Sequence, residues 1–206
     1  MEKNVKIGLD SNHLYLMSGH GGDGSDMWLD GFRLASNNHE IMQVNKILNK
    51  FGLKGLSNKI EENIIQNQVS LLLIEASTPI LNPFFILYLK EKYDLMIVSF
   101  AIDDEFKFEW ISSIYATLSD LVLTIDYVSV DRYRQAGINA FFFMHPINIS
   151  SQIFEQKKDK FKNEVTFVGK IDDKPSRIKI LEYLEKNSID VTVFASNGSN
   201  DPSFLS

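Results

Sequence analysis

The chain has 206 residues, 44% hydrophobic and 12% aromatic, so it can bury a sizeable core and is not wholly disordered. Its net charge of -6 argues against general binding to nucleic acid or to anionic membranes, and the lack of cysteine excludes disulfides, cysteine–zinc sites and thiol nucleophiles. No apolar run reaches the roughly 18 residues of a membrane span. With no signal-peptide pattern, the sequence predicts a cytoplasmic protein without a transmembrane segment.

Strand and helix patterns alternate through the first 150 residues. The expected elements, in chain order, are strand 5–10, a loop of small residues at 17–26, a helix from Ser25 or Asp26, strand 39–44, helices 46–51 and 57–66 divided by Gly52 and Gly55, strand 69–75, helix 84–92, strand 94–100, loop 101–109, helix 108–118, strand 121–125, helix 128–136 ended by Gly137, and strand 140–144. The near-continuous apolar run at 69–75 is typical of a strand buried on both faces of a parallel sheet.

A linker at 145–163 separates this first series from a second, shorter one. Strand 165–168, a glycine, helix 176–187 and strand 191–194 then repeat the pattern. The alternation predicts an α/β fold, a Rossmann-like doubly wound parallel sheet with helices on both faces. We expect one such domain at 1–150, and the linker with the first β-α-β of a second domain at 151–206.

Ligands of open parallel sheets bind outside the carboxyl ends of the strands, and three loops there carry candidate residues. The first is the glycine loop HGGDGSD at 20–26, which contains His20, Gly21 and Gly22. Its glycines allow the backbone to approach an anion at the amino end of a helix, although the segment is neither G-x-G-x-x-G nor a P-loop. The alternative is a flexible turn.

The second loop contains adjacent carboxylates, Asp103 and Asp104, after the strand at 94–100. Such a pair can act as a base, bind sugar hydroxyls or hold a metal, and the alternative is helix capping. Asp126, which follows the strand at 121–125, is interpreted as the cap of the next helix. His145 either faces the cleft or belongs to the linker.

The third loop begins at Gly169 and leads to Arg177 in the first turn of a helix. A strand, a glycine and a helix start bring backbone amides towards a phosphate, and arginine suits bidentate phosphate binding. A solvated helix start is the alternative. Together, the glycine loops of the two domains would face one cleft, which suits a diphosphate ligand.

The order of these pieces resembles the GT-B glycosyltransferases, and within them the spore-maturation-protein-like group. The resemblance runs from about residue 69 to 194. The features that carry it are Pro83 before a helix, a strand leading to DDEF at 103–106, SDLVLTIDYVSVDRYRQAG at 119–137, VTFVGK at 165–170 with Arg177 after it, and IDVTVF at 189–194. Residues 20–24 also resemble the Gly-Gly loop of many GT-B enzymes.

The resemblance implies an enzyme that transfers a sugar from a nucleotide-diphospho-sugar to a glycan, lipid or protein acceptor. The amino-terminal domain would face the acceptor and the carboxyl-terminal domain would hold the nucleotide. By carry-over, Gly21, Gly22, Gly169 and Arg177 would bind the donor diphosphate. It also implies that neither a catalytic metal nor a cofactor is needed.

The catalytic candidates are Asp103, Asp104 and His20, one of which would deprotonate or position the acceptor. The family's second domain continues beyond the segment present here. We therefore expect a truncated chain that lacks a carboxyl-terminal half and is inactive alone. The alternative function is a non-catalytic Rossmann-like binding or interaction module, and a receiver-like domain is a third interpretation.

Overall fold

The computed structural model describes residues 12–17, 39–76, 81–144, 165–169, 171 and 175–195. The expected strand 5–10, the helix from Ser25 or Asp26 and the linker 145–163 lie outside these ranges. The chain divides into two compact units between residues 148 and 149. None of the helices in the described ranges is long and apolar enough to cross a membrane.

The larger unit contains a six-stranded sheet in which every neighbouring pair is parallel. Its strands are β1 (His13–Met17), β2 (His39–Gln43), β3 (Leu71–Glu75), β4 (Met96–Ala101), β5 (Leu121–Thr124) and β6 (Ala140–Phe142). Their order across the sheet is β2-β1-β3-β4-β5-β6. The predicted α/β class with a parallel sheet is confirmed, and the architecture is consistent with a Rossmann-like fold.

Helices connect these strands. They are α1 (Val44–Gln66), α2 (Pro83–Tyr93), α3 (Asp104–Lys107), a π-helical turn (Phe108–Ser112), α4 (Ser113–Leu118) and α5 (Tyr127–Gln135). Helix α2 begins where the sequence predicts, because the Asn82 side chain accepts a hydrogen bond from the Phe84 amide at 2.8 Å and Pro83 occupies the first turn. Gly137, with φ +76°, follows the end of α5 as expected.

The core divides into the two faces of the sheet. On the first face, strand residues such as Leu72 and Ile97 pack with residues from α1, α2 and α4. On the second face, Tyr15, Leu73 and Phe100 belong to a buried cluster whose described members come mainly from the strands. Helices on this second face remain a prediction, because the helix expected there falls outside the described residues.

Three details differ from the sequence-based expectations. Strand β1 lies at 13–17, a segment for which no element was expected; its residues after His13 are all buried, as a central strand requires. The expected loop 101–109 instead contains α3 and the start of the π-helical turn, because the Asp103 carbonyl accepts hydrogen bonds from the Phe106 and Lys107 amides at 3.0 and 2.9 Å. Finally, only Gly52 divides α1, and Gly55 lies within its second arm.

The smaller unit consists of β7 (Val165–Gly169), α6 (Pro175–Lys186) and β8 (Val191–Ala195), with the two strands parallel. The strand–helix–strand prediction is confirmed for this segment. None of its side chains whose burial is described is buried. Val168 and Phe194 are partners across the two strands and are 76% and 59% exposed. The unit therefore shows an apolar surface that a parallel sheet normally covers.

A polar hub links the second arm of α1 to α2. Oε1 of Glu61 accepts hydrogen bonds from the Tyr88 hydroxyl at 2.8 Å, the Lys92 ammonium at 2.7 Å and the Tyr93 hydroxyl at 2.6 Å. The hydrogen bond from Lys92, followed by those from the two tyrosines, lowers the pKa of Glu61 from 4.5 to about 2. The folded state therefore favours the charged carboxylate.

The break in α1 depends on Gly52, whose φ of +68° and ψ of 179° are strongly disfavoured for a residue with a side chain. We expect Gly52→Ala to lower the free energy of unfolding by about 1–3 kcal/mol. Urea unfolding measures this change. Lys54→Ala, an exposed change in the same helix, is the control and should stay within about 0.5 kcal/mol of the wild type. If Gly52→Ala were as stable as Lys54→Ala, the backbone conformation at position 52 would not require glycine.

The pKa of Glu61 is lower in the folded than in the unfolded state. The hydrogen bonds of the hub therefore contribute fully to the free energy of unfolding above pH 4.5, and this contribution is lost as pH falls towards 2. We expect Glu61→Gln to lower stability at pH 7 and to flatten the fall in stability across this acid range. Chemical unfolding at a series of pH values measures both effects. Glu91→Gln, at an exposed position of α2, is the control and should keep the wild-type dependence of stability on pH. If Glu61→Gln also kept it, the hub would not be the cause of the fall in stability at acid pH.

Candidate functional site

The predicted acidic pair lies just beyond the carboxyl end of β4, and the structure gives its two members different environments. Asp104 is fully buried, with 0% of its surface exposed. Its Oδ2 accepts a hydrogen bond from the Tyr133 hydroxyl at 2.9 Å, whereas its Oδ1 is buried without a hydrogen-bond partner. In this conformation the Asp104 carboxylate cannot touch a ligand in solvent.

Tyr133 lies on α5 and is itself fully buried. Burial, and after it the negative charge of Asp104, raise the pKa of Tyr133 above its usual range. The tyrosine is therefore a hydrogen-bond donor at neutral pH. The hydroxyl of Ser112 is buried near this pair and has no satisfactory hydrogen bond. A buried polar cluster of Asp104, Ser112 and Tyr133 thus joins α3, the π-helical turn and α5.

Asp103, the other member of the pair, is within reach of solvent. Its side chain is 48% exposed, and its Oδ2 lies 2.8 Å from the ammonium of Lys107 one helical turn later. A partly exposed ion pair of this kind is exchangeable and contributes little to stability. Of the two carboxylates, Asp103 is therefore the one that a ligand can reach.

The π-helical turn places aromatic and basic groups around the buried cluster. The rings of Phe108 and Tyr133 have centroids 4.8 Å apart, and the Arg132 guanidinium lies over the Phe108 ring, 3.5 Å from its centroid. Arg132 also forms an ion pair with Glu109. Single π-helical turns are frequent at functional sites. Here the turn stacks an arginine on an aromatic ring near the carboxyl ends of β4 and β5.

Asp126 has the capping role that the sequence predicts. Its carboxylate accepts hydrogen bonds from the amides of Val128 and Ser129, both at 3.2 Å, and from the Ser129 hydroxyl at 2.6 Å. These contacts satisfy the first turn of α5. They fix the helix that carries Tyr133.

In the smaller unit, the structure brings Gly169 and Arg177 together. A β-carbon at position 169 would lie 3.4 Å from Nη1 of Arg177 and 3.4 Å from the Phe167 ring. The φ of Gly169 is +157°, a value that residues with side chains rarely adopt. Glycine therefore leaves room for a guanidinium beside the backbone, where β7 ends and α6 follows. Arginine is suited to bidentate binding of phosphate oxygens.

The remaining candidates, His20, Gly21, Gly22 and His145, lie outside the described residues. Of the predicted residues that it describes, the structure brings Gly169 close to Arg177, whereas it gives Asp103 and Asp104 separate partners and different exposure. In the described ranges, no group of three or more histidine or acidic side chains is arranged to hold a metal.

Two buried members of the polar cluster were not identified from the sequence. Tyr133 belongs to the segment 119–137 that carries the family resemblance, but the resemblance assigns it no role. Ser112 lies within a helical pattern and carries no distinguishing signal. The pairing of Asp104 with Tyr133 spans 29 residues and depends on how α5 packs.

No protein-family model matches the sequence, and no curated protein is similar enough to count as a relative. The function of this chain must therefore be inferred from the chemistry of its own residues.

Among the described residues, only the Tyr133 hydroxyl donates a hydrogen bond to the Asp104 carboxylate. We expect Tyr133→Phe to lower the free energy of unfolding by about 1–3 kcal/mol, because it leaves a buried carboxylate without a donor. The double variant Asp104→Leu/Tyr133→Phe removes both polar groups and should recover part of that loss. Urea unfolding of Tyr133→Phe, Asp104→Leu and the double variant tests this. A double variant that is as unstable as the sum of its two single changes would contradict the interaction.

Proposed function

We propose that this chain is a glycosyltransferase-like protein of GT-B type that binds a nucleotide-diphospho-sugar through its smaller unit. The observation that carries the proposal is the contact between Gly169 and Arg177. A β-carbon at position 169 would lie 3.4 Å from Nη1 of Arg177, so the guanidinium lies beside the glycine that ends β7. Gly21 and Gly22, which lie outside the described residues, are the other two glycines that the family resemblance assigns to the donor diphosphate.

The reaction would form a bond between an acceptor oxygen and the anomeric carbon of the sugar, and would break the bond from that carbon to the diphosphate. The leaving diphosphate gains negative charge as this bond breaks. Arg177 and the backbone amides near Gly169 suit its stabilisation, since arginine binds phosphate oxygens through two parallel hydrogen bonds. This chemistry needs no metal from the protein.

The acceptor proton would pass to a base in the larger unit. Of the adjacent carboxylates, Asp103 suits this role better, because it is exposed while Asp104 is buried against Tyr133. Asp104 would then position the loop through its hydrogen bond to Tyr133. His20 remains an alternative base.

A second function, a non-catalytic Rossmann-like binding module, is favoured by the smaller unit. This unit buries none of its described side chains, so the donor site would be formed on a small and weakly packed scaffold. Such a module would retain anion binding at Gly169 and Arg177 but would not release nucleotide from a sugar donor.

We expect UDP-glucose or GDP-mannose to bind the wild-type chain, and Arg177→Met to weaken that binding about tenfold through loss of a charge-assisted hydrogen bond. Isothermal titration calorimetry measures the affinity. Lys179→Met, which removes an exposed positive charge from the same helix, should keep the wild-type affinity.

The outcomes separate the two functions. Release of free UDP or GDP in the presence of an acceptor supports transfer. Binding that depends on Arg177 without any release supports the module. Absence of binding by either nucleotide sugar, or equal weakening by the Lys179 control, would contradict a specific donor site at Arg177.

A further inference from the structure

The small parallel sheet of β7 and β8 has one face beside α6 and one open face. Side chains alternate along β7, and a β-carbon at Gly169 would lie 3.4 Å from Nη1 of Arg177, so α6 lies against the face to which Gly169 belongs. Helix α6 therefore cannot cover the opposite face, here called the open face. Its side chains are those of Thr166 and Val168 on β7 and of their respective partners Thr192 and Phe194 on β8.

The open face is apolar at one end and uncharged throughout. Val168 and Phe194, the apolar pair, are 76% and 59% exposed, and the two threonines beside them carry no charge. Valine, threonine and phenylalanine all favour sheets whose surface is packed against another layer. A parallel sheet normally has both of its faces covered in this way. The open face therefore has the composition of a surface that is covered.

The distribution of charge indicates which partner suits this surface. Residues 149–206 contain nine lysines and arginines and nine aspartates and glutamates, so the smaller unit has no net charge at pH 7. The net charge of -6 therefore belongs to residues 1–148. A net charge near zero favours self-association, whereas a strongly charged partner would meet no opposite charge on the open face. An identical uncharged face meets no electrostatic repulsion there.

We propose that the open face binds the open face of a second copy of this chain in a twofold-symmetric dimer. The two small sheets stack face to face, and their side chains interdigitate in a layer about 10 Å thick. A twofold interface uses the same surface of both copies, so each chain contributes its own Val168 and Phe194. The proposal does not depend on nucleotide-sugar binding, because Gly169 and Arg177 lie on the other side of the sheet.

The small area of the open face limits the strength of the dimer. Two strands of five residues provide less surface than the roughly 800 Å² per partner of a standard interface. We therefore expect a reversible dimer with a dissociation constant of about 10–100 µM. Sedimentation velocity of the full chain at about 5 to 500 µM measures this constant. Because the contact is apolar, about 1 M NaCl should not weaken it.

Phe194→Thr removes the largest side chain of the open face and keeps a residue that favours strands. We expect this change to raise the dissociation constant of the dimer about tenfold. Ile180→Gln is the matched control, since Ile180 lies on α6 and is 58% exposed, against 59% for Phe194. The control should dimerise like the wild type. Both positions are exposed, so neither change threatens folding, and far-UV circular dichroism checks this.

The chain contains no cysteine, so a single introduced thiol reports whether the open face is covered. Thr166→Cys should react with iodoacetamide more slowly at the highest protein concentration than at the lowest, because the dimer covers this position. Glu182→Cys, at an exposed position of α6, should react equally fast at both concentrations.

The proposal is overturned if the chain has the mass of a single copy at every concentration, or if Phe194→Thr and Ile180→Gln weaken the dimer equally. A dimer that dissociates in about 1 M NaCl would also overturn it, since the contact would then be made by charged groups. A monomer in which Thr166→Cys reacts slowly at every concentration would show that another segment of the same chain covers the open face, which again overturns the proposal.

Discussion

Parallel strands leave both faces of a sheet to be covered, and this requirement governs how the larger unit is built. Along β3, Leu72 and Ile74 join one buried cluster while Leu71 and Leu73 join the other. Because β3 is packed on both faces, the neighbouring strands are held in register. The ends of those strands, where the loops begin, are therefore well positioned. The buried pair of Asp104 and Tyr133 is a product of this rigidity, since it joins the segment after β4 to the helix after β5.

Much of the fold follows from local chemistry. The apolar run of β3, the Asn82 cap with the proline after it and the Asp126 cap each specify their element within a few residues, so the sequence predicts them. Strand β1 is different, because it is short and begins at a polar residue, and only its burial on both faces distinguishes it from a loop. Helix α3 is stabilised by contacts of Asp103 and by the distant Tyr133, which a local pattern cannot show.

The candidate sites also differ in whether local sequence or long-range packing determines them. Gly169 and Arg177 belong to one β-α-β unit, so their proximity follows from a short connection and the sequence predicts it. Asp103 and Asp104 are neighbours in sequence with similar chemistry, yet one is exposed and the other is buried, and only packing decides between them.

The exposed apolar face of the smaller unit has a consequence for affinity. A unit that buries little apolar surface gains little free energy on folding, so its folded fraction is sensitive to anything that binds it. A ligand that needs the folded form then binds with an apparent dissociation constant equal to its intrinsic one divided by the folded fraction. A partner that covered Val168 and Phe194 would raise that fraction, and with it the apparent affinity of any ligand that needs the folded unit. Covering of the apolar face and binding of such a ligand would be thermodynamically coupled, and each would strengthen the other by the same free energy.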